Sequence, residues 1–176
     1  FPHRGVSLVG NLDADLEGIE GSGGFDRWFA KADVRLPVLE AVSLTGGGFI
    51  GLAHGTSLPA HYFFFLGGMN SALTIQDQQL TRGSFAGLNA RELVGTQAQN
   101  VYGGIQWEPV QRAIVQLQIE TSLVSNESAL TFDGEHYLWG GAVEVGYDSL
   151  IGPLELVLST GKLHHALVYL NVGYVF

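Results

Sequence analysis

The chain has 176 residues, of which 46% are hydrophobic, with a formal net charge of −9 and no cysteine. This length fits one domain with a sizeable core, the acidity argues against a nucleic-acid surface, and the lack of cysteine excludes disulfides and thiolate metal sites. The densest apolar run, HYFFFLGG, is far shorter than the ~18 residues that a membrane helix needs, so a helical membrane protein is excluded.

Hydrophobic and polar residues alternate in segments of about ten residues, and a period of two is the period of a β-strand. In the first segment, RGVSLVGNLDADLE, Val6, Leu8 and Leu12 share one face, and Asn11 and Asp13 lie on the other. The pattern predicts one all-β domain over residues 1–176. Its eight strands cover about residues 4–17, 25–36, 41–54, 98–108, 112–123, 137–148, 152–159 and 165–176, and a long loop covers about residues 55–97.

The connectors between these segments alternate in length. LPVLE, EPVQR and SLIGP are tight, whereas most of the connectors between them are longer, with GKLHH as the short exception. Short turns on one side and long loops on the other are typical of outer-membrane β-barrels. With eight strands, both ends of the chain lie on the short-turn side.

The aromatic residues of the apolar face fall at two heights. Near the long loops lie Trp28 and Trp139, and near the short turns lie Trp107, Tyr147, Tyr174 and Phe176. Two aromatic girdles are typical of strands that cross both interfaces of a bilayer. We therefore expect an antiparallel transmembrane β-barrel wall of eight strands in the bacterial outer membrane, with lipid as the partner of its apolar face. A soluble β-rich binding domain is the alternative, because alternation by itself fits both.

The opposite face carries charge. A hairpin centred on Gly21 sets Asp15 opposite Arg27, which predicts an inward charge pair of the kind that contributes roughly 0.2–1 kcal/mol. The later strands add carboxylates without a cation among them, namely Glu108, Glu120, Glu144, Asp148 and Glu155. Because uncompensated buried carboxylates are costly, we expect a water-filled lumen or a cationic loop that enters it.

No constellation of catalytic residues is present. The chain lacks G-x-S-x-G, Asp133-Gly134 lies between two predicted strands, and the adjacent His164 and His165 point to opposite faces of a strand or lie in an exposed loop. We predict no catalytic, cofactor or metal site and no enzymatic activity for this segment.

Several stretches resemble one family. The final GYVF resembles the C-terminal signal of outer-membrane barrels, GYDSLIGPLELVLS resembles the penultimate hairpin of the BamA/TamA/FhaC superfamily, and LPAHYFFFLGGMNSAL resembles the start of its sixth extracellular loop. FPHRG resembles the turn that opens a strand midway through such barrels, and it is typical of a mature or excised segment. SFAGLNARELVG is similar to the version in the barrel domain of patatin-like phospholipase autotransporters. Two departures are Leu150, where the family has proline, and the loop Arg-Gly, which here is Arg82-Gly83 and does not follow the paired glycines.

The resemblance implies that the chain covers the second half of a sixteen-stranded barrel. It implies a membrane anchor and translocator for a patatin-like phospholipase passenger outside this segment, with a freestanding small barrel of structural or assembly role as the alternative. It further implies that Tyr174 and Phe176 belong to the signal read by the barrel-assembly machinery, and that Arg82 reaches the inward carboxylate of Glu120.

The length of the predicted loop limits how the eight strands can close into a barrel. The interior of an eight-stranded barrel is just filled by its own side chains, so a loop of roughly forty residues cannot thread it. Either the loop caps the barrel outside, or two copies combine eight strands each, and we expect the homodimer.

Overall fold

The computed structural model describes residues 5–14, 24–55, 58, 62–68, 82–127, 129–130, 132, 134–150 and 152–173. The described residues form eleven β-strands: β1 Gly5–Ala14, β2 Phe25–Leu39, β3 Val42–Gly55, β4 Phe64–Leu66, β5 Arg82–Gly83, β6 Leu93–Gly95, β7 Gln97–Val110, β8 Ala113–Ser125, β9 Leu138–Ser149, β10 Gly152–Gly161 and β11 Leu167–Val172. In this part of the chain, no helix is long and apolar enough to cross a membrane.

Eight of the strands form one antiparallel sheet in the order β1-β2-β3-β7-β8-β9-β10-β11. The all-β class and the eight antiparallel strands are therefore confirmed, and the strand ends that the structure describes differ from the predicted ends by at most four residues. The sheet is open rather than closed, because β1 and β11 do not pair with each other within the described residues.

The connections alternate in length along the sheet. Residues 40–41, 111–112 and 150–151 make two-residue connections at one end of the strands, and the connections at the other end span residues 15–24, 56–96, 126–137 and 162–166. Every two-residue connection therefore lies on one side of the sheet, and every connection longer than two residues, including the five-residue one at 162–166, lies on the other.

One face of the sheet is apolar and exposed. A continuous row of directly paired residues crosses seven strands of this face, each residue at least 42% exposed: Leu36, Leu44, Ile105, Leu117, Val143, Leu158 and Val168. The register brings these residues side by side because successive residues of a strand point to opposite faces. This surface is called the outer face below, and the opposite surface the inner face.

The core lies on the inner face, beneath the long connection between β3 and β7. Within that connection, β4 pairs with β5 in parallel and with β6 antiparallel, giving a small three-stranded sheet. Buried side chains of the long connection and of the inner face form three clusters, Phe29–Ala53–Phe64–Ala98, Leu66–Phe85–Leu88 and Ala86–Ala142–Val157. The long loop, predicted only as irregular, thus supplies much of the core.

Candidate functional site: a loop segment seated on the inner face

The inner face is polar over its central strands. Buried side chains on β7–β10 include Gln106, Gln116, Gln118, Glu120, Glu144, Glu155 and Ser159. These side chains point to the inner face because they alternate along each strand with the exposed apolar residues of the outer face. The predicted polar inner face is thus present, and much of it is covered by loop rather than open.

Four consecutive loop residues, Phe85–Leu88, are buried against this wall and are called the docking segment. Its backbone finds partners on three strands. Ala86 donates its N–H to the Glu120 carboxylate of β8, Gly87 donates to Ser159 Oγ of β10 at 3.2 Å, and the Tyr169 hydroxyl of β11 donates to the carbonyl of Leu88. The docking segment is therefore held by wall side chains that match its exposed peptide groups.

Glycine makes this close approach possible. A Cβ at Gly140 would overlap the carbonyl of Ala86, and a Cβ at Gly87 would lie 2.6 Å from the backbone nitrogen of Gly161. Gly87 also has a φ of +81°, a conformation that L side chains rarely adopt. Glycines at facing positions on the wall and the loop let two backbones meet without a side chain between them.

The loop strands reinforce this contact. Gly68 donates its N–H to Leu88 at 3.0 Å and accepts the N–H of Phe85 at 2.8 Å, so the segment after β4 is joined to the docking segment. Phe85 and Leu88 then pack with Leu66 as one of the three clusters. The docking segment is one part of an ordered loop body.

A second contact ties the loop to the connection between β10 and β11. Nε2 of His164 lies 2.6 and 2.9 Å from the two carboxylate oxygens of Glu92, and Asn89 donates its backbone N–H to Glu92 at 2.6 Å. Burial pushes the pKa of Glu92 upward, but the hydrogen bonds from His164 and Asn89 outweigh it, so this pKa is lowered. His164, predicted to be an exposed loop residue, therefore fastens the loop to the end of the sheet with the long connections.

The carboxylate of Glu120 has partners on both the loop and the wall. Besides the N–H of Ala86, it accepts Nδ2 of Asn100 at 3.1 Å. The backbone of Arg82 pairs with Phe65 in the small sheet, but its side chain lies outside the described residues, so its contact with Glu120 stays a prediction. The loop does reach Glu120, through a peptide group of the docking segment.

The register of the first hairpin differs from the predicted one by two residues. Asp13, not Asp15, lies opposite Arg27, and its Oδ2 is 3.2 Å from Nη1 of Arg27. Asp15 lies outside the described residues. The two-residue difference keeps the carboxylate on the inner face, because the side-chain period of a strand is two.

Arg27 is the most enclosed cation among the described residues. It is 5% exposed, and its guanidinium lies 5.0–5.9 Å from the ring centroids of Phe29, Tyr62 and Phe64. Cation–π contacts of this kind attach β2 to the loop. Arg27 thus holds a hairpin carboxylate and the loop rings at once.

The predicted girdle residues that the structure describes lie at both ends of the outer face. Trp28 and Trp139 lie toward the long connections, and Trp107 and Tyr147 lie toward the two-residue ones. Trp139, Trp107 and Tyr147 are about half exposed. Tyr174 and Phe176, predicted as the assembly signal, lie outside the described residues.

Sequence reasoning missed the docking segment. Its signal was the pair Gly140-Gly141 inside a predicted strand, since glycine within a strand marks close approach of another backbone. The described residues contain no group of three or more histidine, cysteine, aspartate or glutamate side chains placed to hold a metal ion.

No family model matches the chain, and no curated protein matches it.

Proposed function

We propose that the chain is a transmembrane β-barrel wall of the bacterial outer membrane, with lipid against its outer face. The observation that carries this proposal is the continuous row of exposed apolar residues across seven strands. A soluble protein rarely exposes a contiguous apolar surface larger than a few hundred Å². In a membrane this surface is solvated by hydrocarbon, and the polar residues lie on the face turned away from it.

The strand lengths support the same proposal. β3, β7 and β8 have 14, 14 and 13 residues. A tilted transmembrane strand needs about 9–11 residues. These strands are therefore long enough to cross a hydrocarbon layer and to leave residues for both interfaces, where the proposal places the aromatic residues of the outer face.

Ile119→Arg tests the membrane wall. Ile119 is 68% exposed near the middle of β8. In water, arginine at so exposed a position is harmless, whereas at the bilayer midplane it costs about 2–4 kcal/mol. We expect this variant to lose stable insertion, measured as the fraction retained in outer membranes after carbonate extraction and as the midpoint of heat-modified gel mobility.

Leu150→Arg is the matched control. Leu150 is 96% exposed, and it lies in a two-residue connection rather than in a strand. The Leu150→Arg variant should insert into the membrane like the unaltered chain. Equal behaviour of the two variants, with both dissolving in buffer without detergent, would support the soluble β-rich alternative.

The function of this wall is to anchor and translocate a patatin-like phospholipase passenger encoded outside the segment. Support comes from the resemblance of residues 84–95, SFAGLNARELVG, to the barrel domains of patatin-like autotransporters; these residues include the docking segment. The barrel-assembly machinery, through the C-terminal strand, is the partner during insertion.

The sequence encoded before Phe1 tests the passenger. A G-x-S-x-G motif followed by D-G-G or D-G-A supports it, with esterase activity in the full-length protein that is absent from residues 1–176. A signal peptide directly before Phe1 contradicts it and favours the freestanding barrel.

A further inference from the structure

The outer face holds an apolar groove across β1, β2, β3 and β7, with a volume of about 490 Å³. The outer-face residues that line it are Leu8, Gly10, Ala30, Ala32, Gly48, Ile50 and Val101. Ala30 is the next outer-face position after Trp28, the aromatic girdle residue of β2. The groove therefore begins beside the girdle at the end with the long connections and extends toward the middle of the strands.

The register of the strands produces this groove. Gly10 lies directly opposite Ala30, and Ala32 lies directly opposite Gly48, so small residues of three strands adjoin and form a low floor. Larger side chains stand at the sides of the floor, because Leu8 is the other partner of Ala32, Ile50 is the other partner of Ala30, and Val101 is the other partner of Gly48.

The described lining offers no polar group to a ligand. Four further lining residues alternate with the outer-face ones and so point to the inner face, namely Val9, Lys31, Phe49 and Asn100. There Asn100 donates to Glu120 at 3.1 Å, and the Phe49 ring lies 5.5 Å from that of Phe64. Their backbone is paired across the four strands. The groove therefore presents hydrocarbon side chains and a floor of paired peptide groups.

The width of the groove limits what can enter it. Leu8 and Ile50 face each other diagonally across β2, two strand spacings and two residues apart, so their Cα atoms are about 12 Å apart. An α-helix with its side chains is about 10–12 Å across and would need this whole distance, part of which the Leu8 and Ile50 side chains already fill. An unbranched hydrocarbon chain carries no side chains and is narrow enough.

We propose that the groove seats one acyl chain of a membrane lipid, whose headgroup lies beside Trp28. This inference rests on the membrane wall proposed above, because acyl chains are the medium around such a wall. An empty groove would leave its lining atoms without contacts on one side. A chain seated there touches the floor and both sides, whereas a chain on a flat part of the outer face touches the wall on one side only. The sum of these dispersion contacts holds the seated chain longer.

Photocrosslinking from the lipid tests the groove. The full-length protein is reconstituted into liposomes of phosphatidylethanolamine and phosphatidylglycerol that contain a small fraction of phosphatidylethanolamine with a diazirine in one acyl chain. After illumination, mass spectrometry of the digested protein locates the crosslinks. We expect the crosslinked fraction at Ala30, Ala32 and Gly48 to be several-fold higher than on a flat part of the outer face, which Ile105, Leu117 and Val143 form as direct partners in one row.

Gly10→Leu fills the groove and should lower the crosslinked fraction on its floor to that of the flat row. A Cβ at Gly10 meets only the carbonyl oxygen of Phe29, at 3.8 Å, so the sheet accommodates the substitution. Gly141→Leu is the matched control, since Gly141 is an outer-face glycine of β9 outside the groove, and it should leave the floor crosslinks unchanged.

Equal crosslinking of the floor and the flat row, or floor crosslinks that persist in Gly10→Leu, would overturn the groove and leave the membrane wall standing. Absence of lipid crosslinks from both sets of residues would overturn the membrane wall itself, and the groove with it.

Discussion

Gly140 lies where the wall and the docking segment are closest, and a side chain there has no room. A Cβ would meet the carbonyl of Ala86, which is backbone and is itself held by neighbouring hydrogen bonds. Gly141, one residue further on, faces the outer surface. A Cβ added there would lie 3.4 Å from the carbonyl oxygen of Gln118, which is an ordinary contact. Two adjacent glycines therefore differ in what they permit.

We expect Gly140→Ala to weaken docking of the loop by about 1–3 kcal/mol, the usual cost of overpacking. The measurement is the rate of protease cleavage between β4 and β6 in the folded, detergent-solubilised protein, which should rise. Gly141→Ala serves as control and should leave the rate unchanged. Equal rates for both variants would show that the docking segment does not rest on Gly140.

The contact between Glu92 and His164 makes the docking of the loop depend on pH. The pKa of Glu92 is lowered in the folded protein, so its charged form favours the docked loop. By linkage, this contribution is fully present above the ordinary glutamate value of about 4.5 and is lost as pH falls through the lowered folded value. Half-exposed pairs contribute roughly 0.2–1 kcal/mol, so the effect on local opening is at most about fivefold.

Hydrogen exchange of residues 89–95, corrected for intrinsic rates, should therefore show less protection at about pH 3.5 than at pH 7. Glu92→Gln should remove most of that difference, and Glu127→Gln, in the exposed connection after β8, should retain it. An unchanged pH response in Glu92→Gln would mean that another group controls the loop.

At the scale of elements, the long strands were predictable and the short ones were not. The alternation of apolar and polar residues along β8, from Val115 to Glu120, predicts both the strand and which residues lie on each of its two faces. β4, β5 and β6 have two or three residues each, too few for any period, and they form because the inner face beneath them holds Phe64 and Leu66. Tertiary packing decided their conformation, and such packing is not written in a local pattern.

The first hairpin shows a second limit of pattern reasoning. Alternation fixes which residues face inward but not which inward residue lies opposite which, since a shift of two residues preserves both faces. Within the described residues, Asp13 therefore lies opposite Arg27 and forms the ion pair with it. The contacts of the docking segment could not be predicted from local alternation either, because its partners Glu120, Ser159 and Tyr169 come from three strands that are distant in the sequence.

At the scale of the whole molecule, an apolar outer face and a loop-covered inner face have one common explanation in the membrane wall proposed above. Such a wall turns its apolar side chains to lipid, and it turns its polar side chains and the docked loop away from lipid.

The most direct measurement of the central claim uses single cysteines placed one at a time from Val115 to Glu120 on β8, each labelled with a fluorophore and inserted into liposomes. Quenching by a lipid-borne quencher should alternate with a period of two. It should be strong at the exposed outer-face positions 117 and 119, and weak at positions 116, 118 and 120, which are buried on the inner face. A lack of alternation, with the outer-face positions open to an aqueous quencher, would contradict a lipid-facing wall.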